Sequence, residues 1–107
     1  MIKLLLYQTR DGKIPFTEWL LSLKDVTGRA RIRARLDRLQ LGNFGDSKRI
    51  DRNVFELRFH FGSGYRVYYG MDSNVVVVLL CGGDKGSQEN DIRKAAVYWQ
   101  DYLERRA

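Results

Sequence analysis

The sequence predicts an α+β protein of order β-α-α-β-β-β-α: a small, mostly antiparallel sheet, two N-terminal helices packed on one face, and a C-terminal helix. Three observations predict it. Residues 54–61 and 65–69 alternate apolar and polar side chains around Gly62-Ser63-Gly64, the pattern of two half-buried strands joined by a tight turn. Residues 75–80 are an unbroken run of valine and leucine, as expected of a strand near a sheet's centre, covered on both faces. Three other segments repeat apolar residues three and four apart, the spacing of helices with one buried face.

Taken in order, residues 2–9 form a first strand, closed by the polar turn Arg10-Asp11-Gly12-Lys13. Pro15 suits the first turn of a helix, where its missing N–H has no partner to lose. Phe16, Trp19, Leu20 and Leu23 carry that helix to residue 23. Asp25 or Thr27 caps a second helix over residues 28–41. Its inward stripe is Ile32, Leu36 and Leu39, flanked by the small Ala30 and Ala34. Arg29, Arg31, Arg33, Arg35 and Arg38 cover most of the remainder. They are either a solvated face whose stems lie over the core or a nucleic-acid surface. Gly42 stops the helix, and residues 43–53 read as a connecting loop carrying Lys48, Arg49 and Arg52.

The hairpin comes next. A two-residue loop would set Phe61 against Arg66 and mix charge with phenylalanines. A three-residue loop, Gly62 to Gly64, pairs Phe61 with Tyr65, Phe59 with Val67 and Leu57 with Tyr69, and is the register expected. Glu56, Arg58, His60, Arg66 and Tyr68 then share one face. Phe55, Leu57, Phe59, Phe61, Val67 and Tyr69 become core beneath the early helices, leaving the Arg58/Arg66 face at least partly open. A turn at Asp72-Ser73 that pairs 72 with 75 would place Arg66 opposite Cys81. Gly82 to Gly86 form a flexible loop, and Ser87 caps the last helix with Glu89 and Asp91 near its positive end. Ile92, Ala95, Ala96, Trp99, Tyr102 and Leu103 form its inward stripe. Three consecutive strands with such short turns must be antiparallel.

At 107 residues the chain is one domain, residues 1–107, with room for one modest core. A net charge of +6 favours an anionic partner: nucleic acid, ribosome, membrane surface or an acidic protein. The single cysteine, Cys81, forms no internal disulfide and fits a reducing compartment. The apolar start is too short for a signal core or a membrane span, so a cytoplasmic protein without membrane contact is expected. One histidine and one cysteine give no metal-ligand spacing, and no cofactor is expected. Gly82-Gly83-Asp84-Lys85-Gly86-Ser87 lacks Gly-Lys-Ser/Thr at the helix start, which argues against an ATP site. A mobile loop presenting Lys85 beside a helix N-terminus does suit a phosphate.

Arg58, Arg66, Lys85, His60 and Tyr68 together fit phosphodiester chemistry without a metal. Cutting RNA with its own 2′-OH needs a base, cations for the developing phosphorane charge, and an acid for the leaving 5′-oxygen. Arginine forks match two phosphate oxygens. Histidine is the side chain that ordinarily changes charge near neutrality, so His60 can serve as acid or base, or simply pair with Glu56. Tyr68 is a donor, a platform for a base, or core packing. Lys85 and Arg66 are expected to bracket one phosphate, the alternative being a loop charge paired with Asp84.

Phe-Glu-Leu-Arg-Phe-His-Phe-Gly-Ser-Gly-Tyr-Arg-Val-Tyr-Tyr, followed by Leu-Leu-Cys-Gly-Gly-Asp-Lys-Gly-Ser-Gln-Glu-Asn-Asp-Ile, resembles the RelE/ParE toxin superfamily, and most closely its HigB-like "addiction module killer protein" branch. The early Pro-Phe-x-x-Trp helix and the arginine-rich second helix extend the likeness over nearly the whole chain. The resemblance implies a RelE-like fold and the toxin of a type II toxin–antitoxin pair. That toxin would be a ribosome-dependent mRNA endonuclease silenced by a helix-turn-helix antitoxin. Operator DNA would be bound only as the toxin–antitoxin complex. By the same resemblance Arg66 in Gly-Tyr-Arg matches the phosphate-binding arginine, and Arg58 in Glu-Leu-Arg a second basic position. Lys85, Gln88 and Asp91 match the branch's loop motif. Arg31, Arg35, Arg38, Lys48, Arg49 and Gln88 are the candidate RNA contacts. The chain departs from RNA-cutting members in offering Asp91 where they carry a C-terminal tyrosine or histidine. A toxin that binds a protein such as DNA gyrase, or a decayed toxin kept as co-repressor, are the alternatives.

Overall fold

A computed structural model describes residues 1–106 and shows a five-stranded sheet between two helical layers. The elements are β1 (Lys3–Leu6), α1 (Pro15–Ser22), α2 (Val26–Gln40), β2 (Ser47–Asp51), β3 (Val54–Arg58), β4 (Arg66–Met71), β5 (Val76–Gly83), a 3-10 turn (Lys85–Ser87) and α3 (Gln88–Arg106). Strand order is β1-β5-β4-β3-β2, with β1 parallel to β5 and the other pairs antiparallel. The expected α+β architecture is the one observed, with one added strand. Residues 47–51 lie in the segment expected to be a loop. They pair with β3 as an edge strand rich in exposed charge, a composition that discourages further pairing. Among the described residues no helix is long and apolar enough to cross a membrane.

Helix ends follow from local chemistry. Pro15 opens α1. The Asp25 side chain accepts the Gly28 N–H at 2.8 Å and caps α2. Asp84, rather than Ser87, caps the last helical segment: its carboxylate accepts the Ser87 N–H at 3.1 Å, while the Ser87 hydroxyl accepts the Asp84 N–H at 3.2 Å.

Each sheet face has its own core. On the first, Phe16 and Leu20 of α1 and Ile32, Leu36 and Leu39 of α2 pack over Leu57, Phe59, Val67, Tyr69, Val77 and Leu79. On the second, Ala95 and Trp99 of α3 pack over Val54, Tyr68, Val78, Leu80 and Cys81. The Arg58/Arg66 face is therefore closed over much of its length by α3. Ala96, expected to face inward, is exposed.

The β3–β4 register differs from the expected one by two residues: Leu57 pairs with Val67, Glu56 with Tyr68 and Arg58 with Arg66. The Phe59 N–H donates to the Tyr65 carbonyl at 3.0 Å, so the loop runs from His60 to Gly64. Gly62 and Gly64 take positive φ there, which lengthens the turn without slipping the faces. A shift of two preserves the side-chain alternation. The β4–β5 turn also differs, with the Asp72 N–H bonding to the Val76 carbonyl. A bulge between Tyr68 and Tyr69 then moves β5 along by one, so Arg66 stands opposite Gly83 rather than Cys81.

Close approach from both helical layers explains two adjacent glycines. Gly82 meets the first face, where a Cβ would lie 2.1 Å from the Trp19 ring. Gly83 meets the second, where a Cβ would lie 1.8 Å from an Asp91 carboxylate oxygen. Both helical layers touch the β5 backbone where only hydrogen fits.

Candidate functional site

Two rows of residues cross the second face side by side. Lys48, Glu56, Tyr68 and Cys81 form one by successive pairing. The other runs from Arg58 through Arg66 to Gly83, and the Arg58 N–H bonding to the Asp46 carbonyl at 3.0 Å extends it by one position. The first turn of α3 lies over Glu56 in the first row, because Gln88 Nε2 donates to Glu56 Oε2 at 2.9 Å. Cover then thins along the face. Side-chain exposure is 2% for Glu56, 13% for Arg66, 36% for Arg58 and 76% for His60.

The polar partners divide the cluster. Glu56 Oε1 lies 4.0 Å from Arg66 Nε, an ion pair at its outer limit. Asp46 bridges the other two groups: one oxygen accepts from Arg58 Nη2 at 3.0 Å, and the other lies 2.6 Å from His60 Nε2. These contacts from His60 and Arg58 hold the Asp46 carboxyl below its ordinary value. Among the described residues three buried side-chain polar atoms have no hydrogen-bond partner: Arg58 Nε, Arg66 Nε and the Tyr68 hydroxyl. Such atoms are few in native proteins, and here all three belong to neighbouring residues on one face. Burial and the nearby Glu56 raise the Tyr68 phenol far above its ordinary value, so it keeps its proton.

Arg58, Arg66 and Tyr68 share the expected face, and Arg58 and Arg66 are direct cross-strand partners. Tyr68 is fully buried, so it is not a platform for a base. His60 sits in the loop on Asp46 instead of pairing with Glu56. The exposed Lys85 lies against the hairpin loop at the Arg66 end of the sheet, its N–H donating to the Ser63 carbonyl at 3.3 Å. Asp84 is taken by the cap and by a 3.3 Å hydrogen bond from the Ser63 hydroxyl.

The six candidate RNA contacts separate. Arg35 is structural: its guanidinium donates to the carbonyls of Arg58 at 2.9 Å and Asp46 at 3.0 Å, tying α2 to β3 and the loop before β2. Burial lowers its pKa from the ordinary arginine value. Gln88 is likewise turned inward onto Glu56. Arg31 and Arg38 line a groove of about 360 Å³ with Phe59, His60 and Phe61, and Arg31 stacks 5.0 Å over the Phe61 ring. Lys48 and Arg49 are exposed on β2, with Arg49 5.4 Å over Phe55. Asp91 accepts the Ser87 hydroxyl at 2.5 Å and packs on Gly83, so it serves the loop rather than an open site. Cys81 is no nucleophile, since burial pushes its thiol up to about 12.

Sequence reasoning misses Asp46 altogether and places Glu56 on the face only as an alternative partner for His60. Glu56 does carry a signal, an acid two residues before Arg58 and so on the same strand face. Asp46 has none, because the strand that carries it into place has the polar composition of a loop.

The chain is 48% identical over 88 residues to an uncharacterized protein of Haemophilus influenzae (strain ATCC 51907 / DSM 11121 / KW20 / Rd), covering 82% of this chain and 89% of that one. Residues 18–98 match the family described as "Phage derived protein Gp49-like (DUF891)", a span from α1 through most of α3 that includes every residue of the two rows. The chain belongs to this Gp49-like family, a family of the RelE/HigB-like toxin kind.

Proposed function

We propose that this protein is the toxin of a type II toxin–antitoxin pair and that it cuts mRNA on the ribosome. The observation that carries the reading is the Arg58–Arg66 pair. The two arginines are direct partners on adjacent strands at the edge of the α3 cover, and the buried Nε of each has no hydrogen-bond partner. Such a pair can grip the two non-bridging oxygens of one phosphate, and its charge is matched to the phosphorane that forms when a 2′-OH attacks. The products of that attack are a 2′,3′-cyclic phosphate and a 5′-OH.

His60, exposed and oriented by Asp46, is the proton-transfer group within reach of solvent and substrate. Lys85 stands at the same end of the sheet and adds a mobile cation. Arg31 and Arg38 extend the basic surface beyond His60 and give the RNA strand a path away from the cut. The family points to an antitoxin as the natural partner. A toxin acting only by binding gyrase would not need two arginines paired across adjacent strands at a partly buried site.

Expressing the chain under tight control and mapping mRNA 5′ ends on stalled ribosomes tests the reading. New ends within translated codons, absent with Arg66→Ala, are expected. Growth arrest without new ends would contradict it.

A further inference from the structure

The loop motif that looks like a phosphate cradle is spent on something else. Gly83 admits the Asp91 carboxylate, Ser87 bonds both Asp91 and Asp84, and the capping box locks the 3-10 turn. The next residue is Gln88, first of α3, and its side chain turns under the sheet toward Glu56.

Among the described residues Glu56 is one of two buried acidic residues, Asp91 being the other. A buried carboxylate has to be met by donors and by opposite charge. Gln88 supplies the donor at Oε2, and Arg66 supplies the charge, its Nε 4.0 Å from Oε1. Lys48 stands opposite Glu56 in the β2 register but is exposed. A guanidinium has one N–H on Nε and four on its terminal nitrogens. Holding the Nε side leaves the four terminal N–H groups for an anion.

We propose that Gln88 and Glu56 are positioning residues for Arg66. The locked turn fixes Gln88, Gln88 fixes the carboxylate, and the carboxylate sets the direction of the guanidinium opposite Arg58. The first turn of α3 thereby supports an arginine on β4 that it need not touch. The idea deepens the endonuclease reading and rests on it only for the cleavage measurement, since the geometry of Arg66 can be followed directly.

The test is the Arg66 Nε–Hε signal in ¹⁵N NMR spectra of the whole chain, recorded for wild type, Gln88→Met and Glu56→Gln, with and without inorganic phosphate. Cleavage of mRNA on programmed ribosomes is measured alongside. Gln88→Met keeps volume and removes the donor; Glu56→Gln keeps shape and removes the charge. Both are expected to keep a Tm within about 3 °C of wild type. Both should shift the Arg66 signal, speed its solvent exchange by at least about tenfold, and weaken its response to phosphate. Cleavage should then fall in kcat, with KM within about twofold of wild type. If the Arg66 signal and its phosphate response are unchanged in both variants, the proposal is overturned, whatever happens to activity. If the signal moves as expected but wild type cuts no RNA, the positioning role stands and the endonuclease reading falls. If one variant fails to fold, the other decides.

Discussion

The two faces of the sheet are built from the same strands and end differently. Under α1 and α2 the face stays apolar from Leu57 and Val67 to Phe59 and Tyr65. Under α3 it starts apolar, with Trp99 packed against Gly70, then turns polar at Glu56 and finally charged and open at Arg58 and His60. The difference lies in what each helix offers. The second face depends on one helix, whose first turn presents Gln88 where an apolar residue would have sealed the sheet. Burial on the first face stabilises; on the second it desolvates part of an arginine pair and leaves the rest in reach of a ligand. Charges in a partly dry setting interact more strongly than in bulk water, which is what an anion site needs.

The contrast can be broken from either side. Phe59→Ala on the apolar face should cost about 3–5 kcal/mol, read from denaturant unfolding; a near-neutral result would show that α2 does not seal that face. Arg66→Ala should slow mRNA cleavage by about two to three orders of magnitude, read in single-turnover assays on folded protein, and should lower stability because the buried Glu56 loses its counter-charge. A folded variant with full toxicity would assign the second face to protein binding. Smaller again, Arg31→Ala and Arg38→Ala should weaken binding of single-stranded RNA. The slope of its salt dependence should flatten by about 0.7 for each phosphate left without its cation. Arg35→Ala should instead lower stability, because its donors serve main-chain carbonyls.

The smallest effect concerns the end of α3 far from the site. Hydrogen bonds from Tyr7 at 2.6 Å and Arg10 at 2.9 Å, with Arg105 adding a third, hold Asp101 at about 2. A carboxylate whose folded value is depressed stabilises fully above its unfolded value, about 3.9, and loses that contribution as pH falls toward 2. The Tm gap between wild type and Asp101→Asn should therefore be widest near neutrality and close between about pH 4 and pH 2. A gap that persists at pH 2 would mean that the contacts stabilise by packing alone.

Much of this is legible in the sequence, because period-two alternation and helical spacing are local. Parity places Arg58, Arg66 and Tyr68 on one face even though the expected register is two residues out. What cannot be read depends on longer-range facts. The wider β4–β5 turn and the bulge at Tyr68/Tyr69 each move the register by one and together bring Arg66 from Cys81 to Gly83, and no spacing in the sequence marks either. Residues 47–51 have strand form only because β3 offers them an edge, so Asp46 stays hidden. The cover over Tyr68 comes from α3, whose docking face is predictable but not its position along the sheet.

The most direct test of the central claim is a double-mutant cycle on cleavage rate with Arg58→Ala, Arg66→Ala and the pair. If both arginines grip one phosphate, either single change should cost about as much as the double, giving a coupling about the size of one single loss, roughly 2.7–4 kcal/mol. Strictly additive losses, or a double variant that still cuts at the wild-type rate, would contradict a shared phosphate at this end of the sheet.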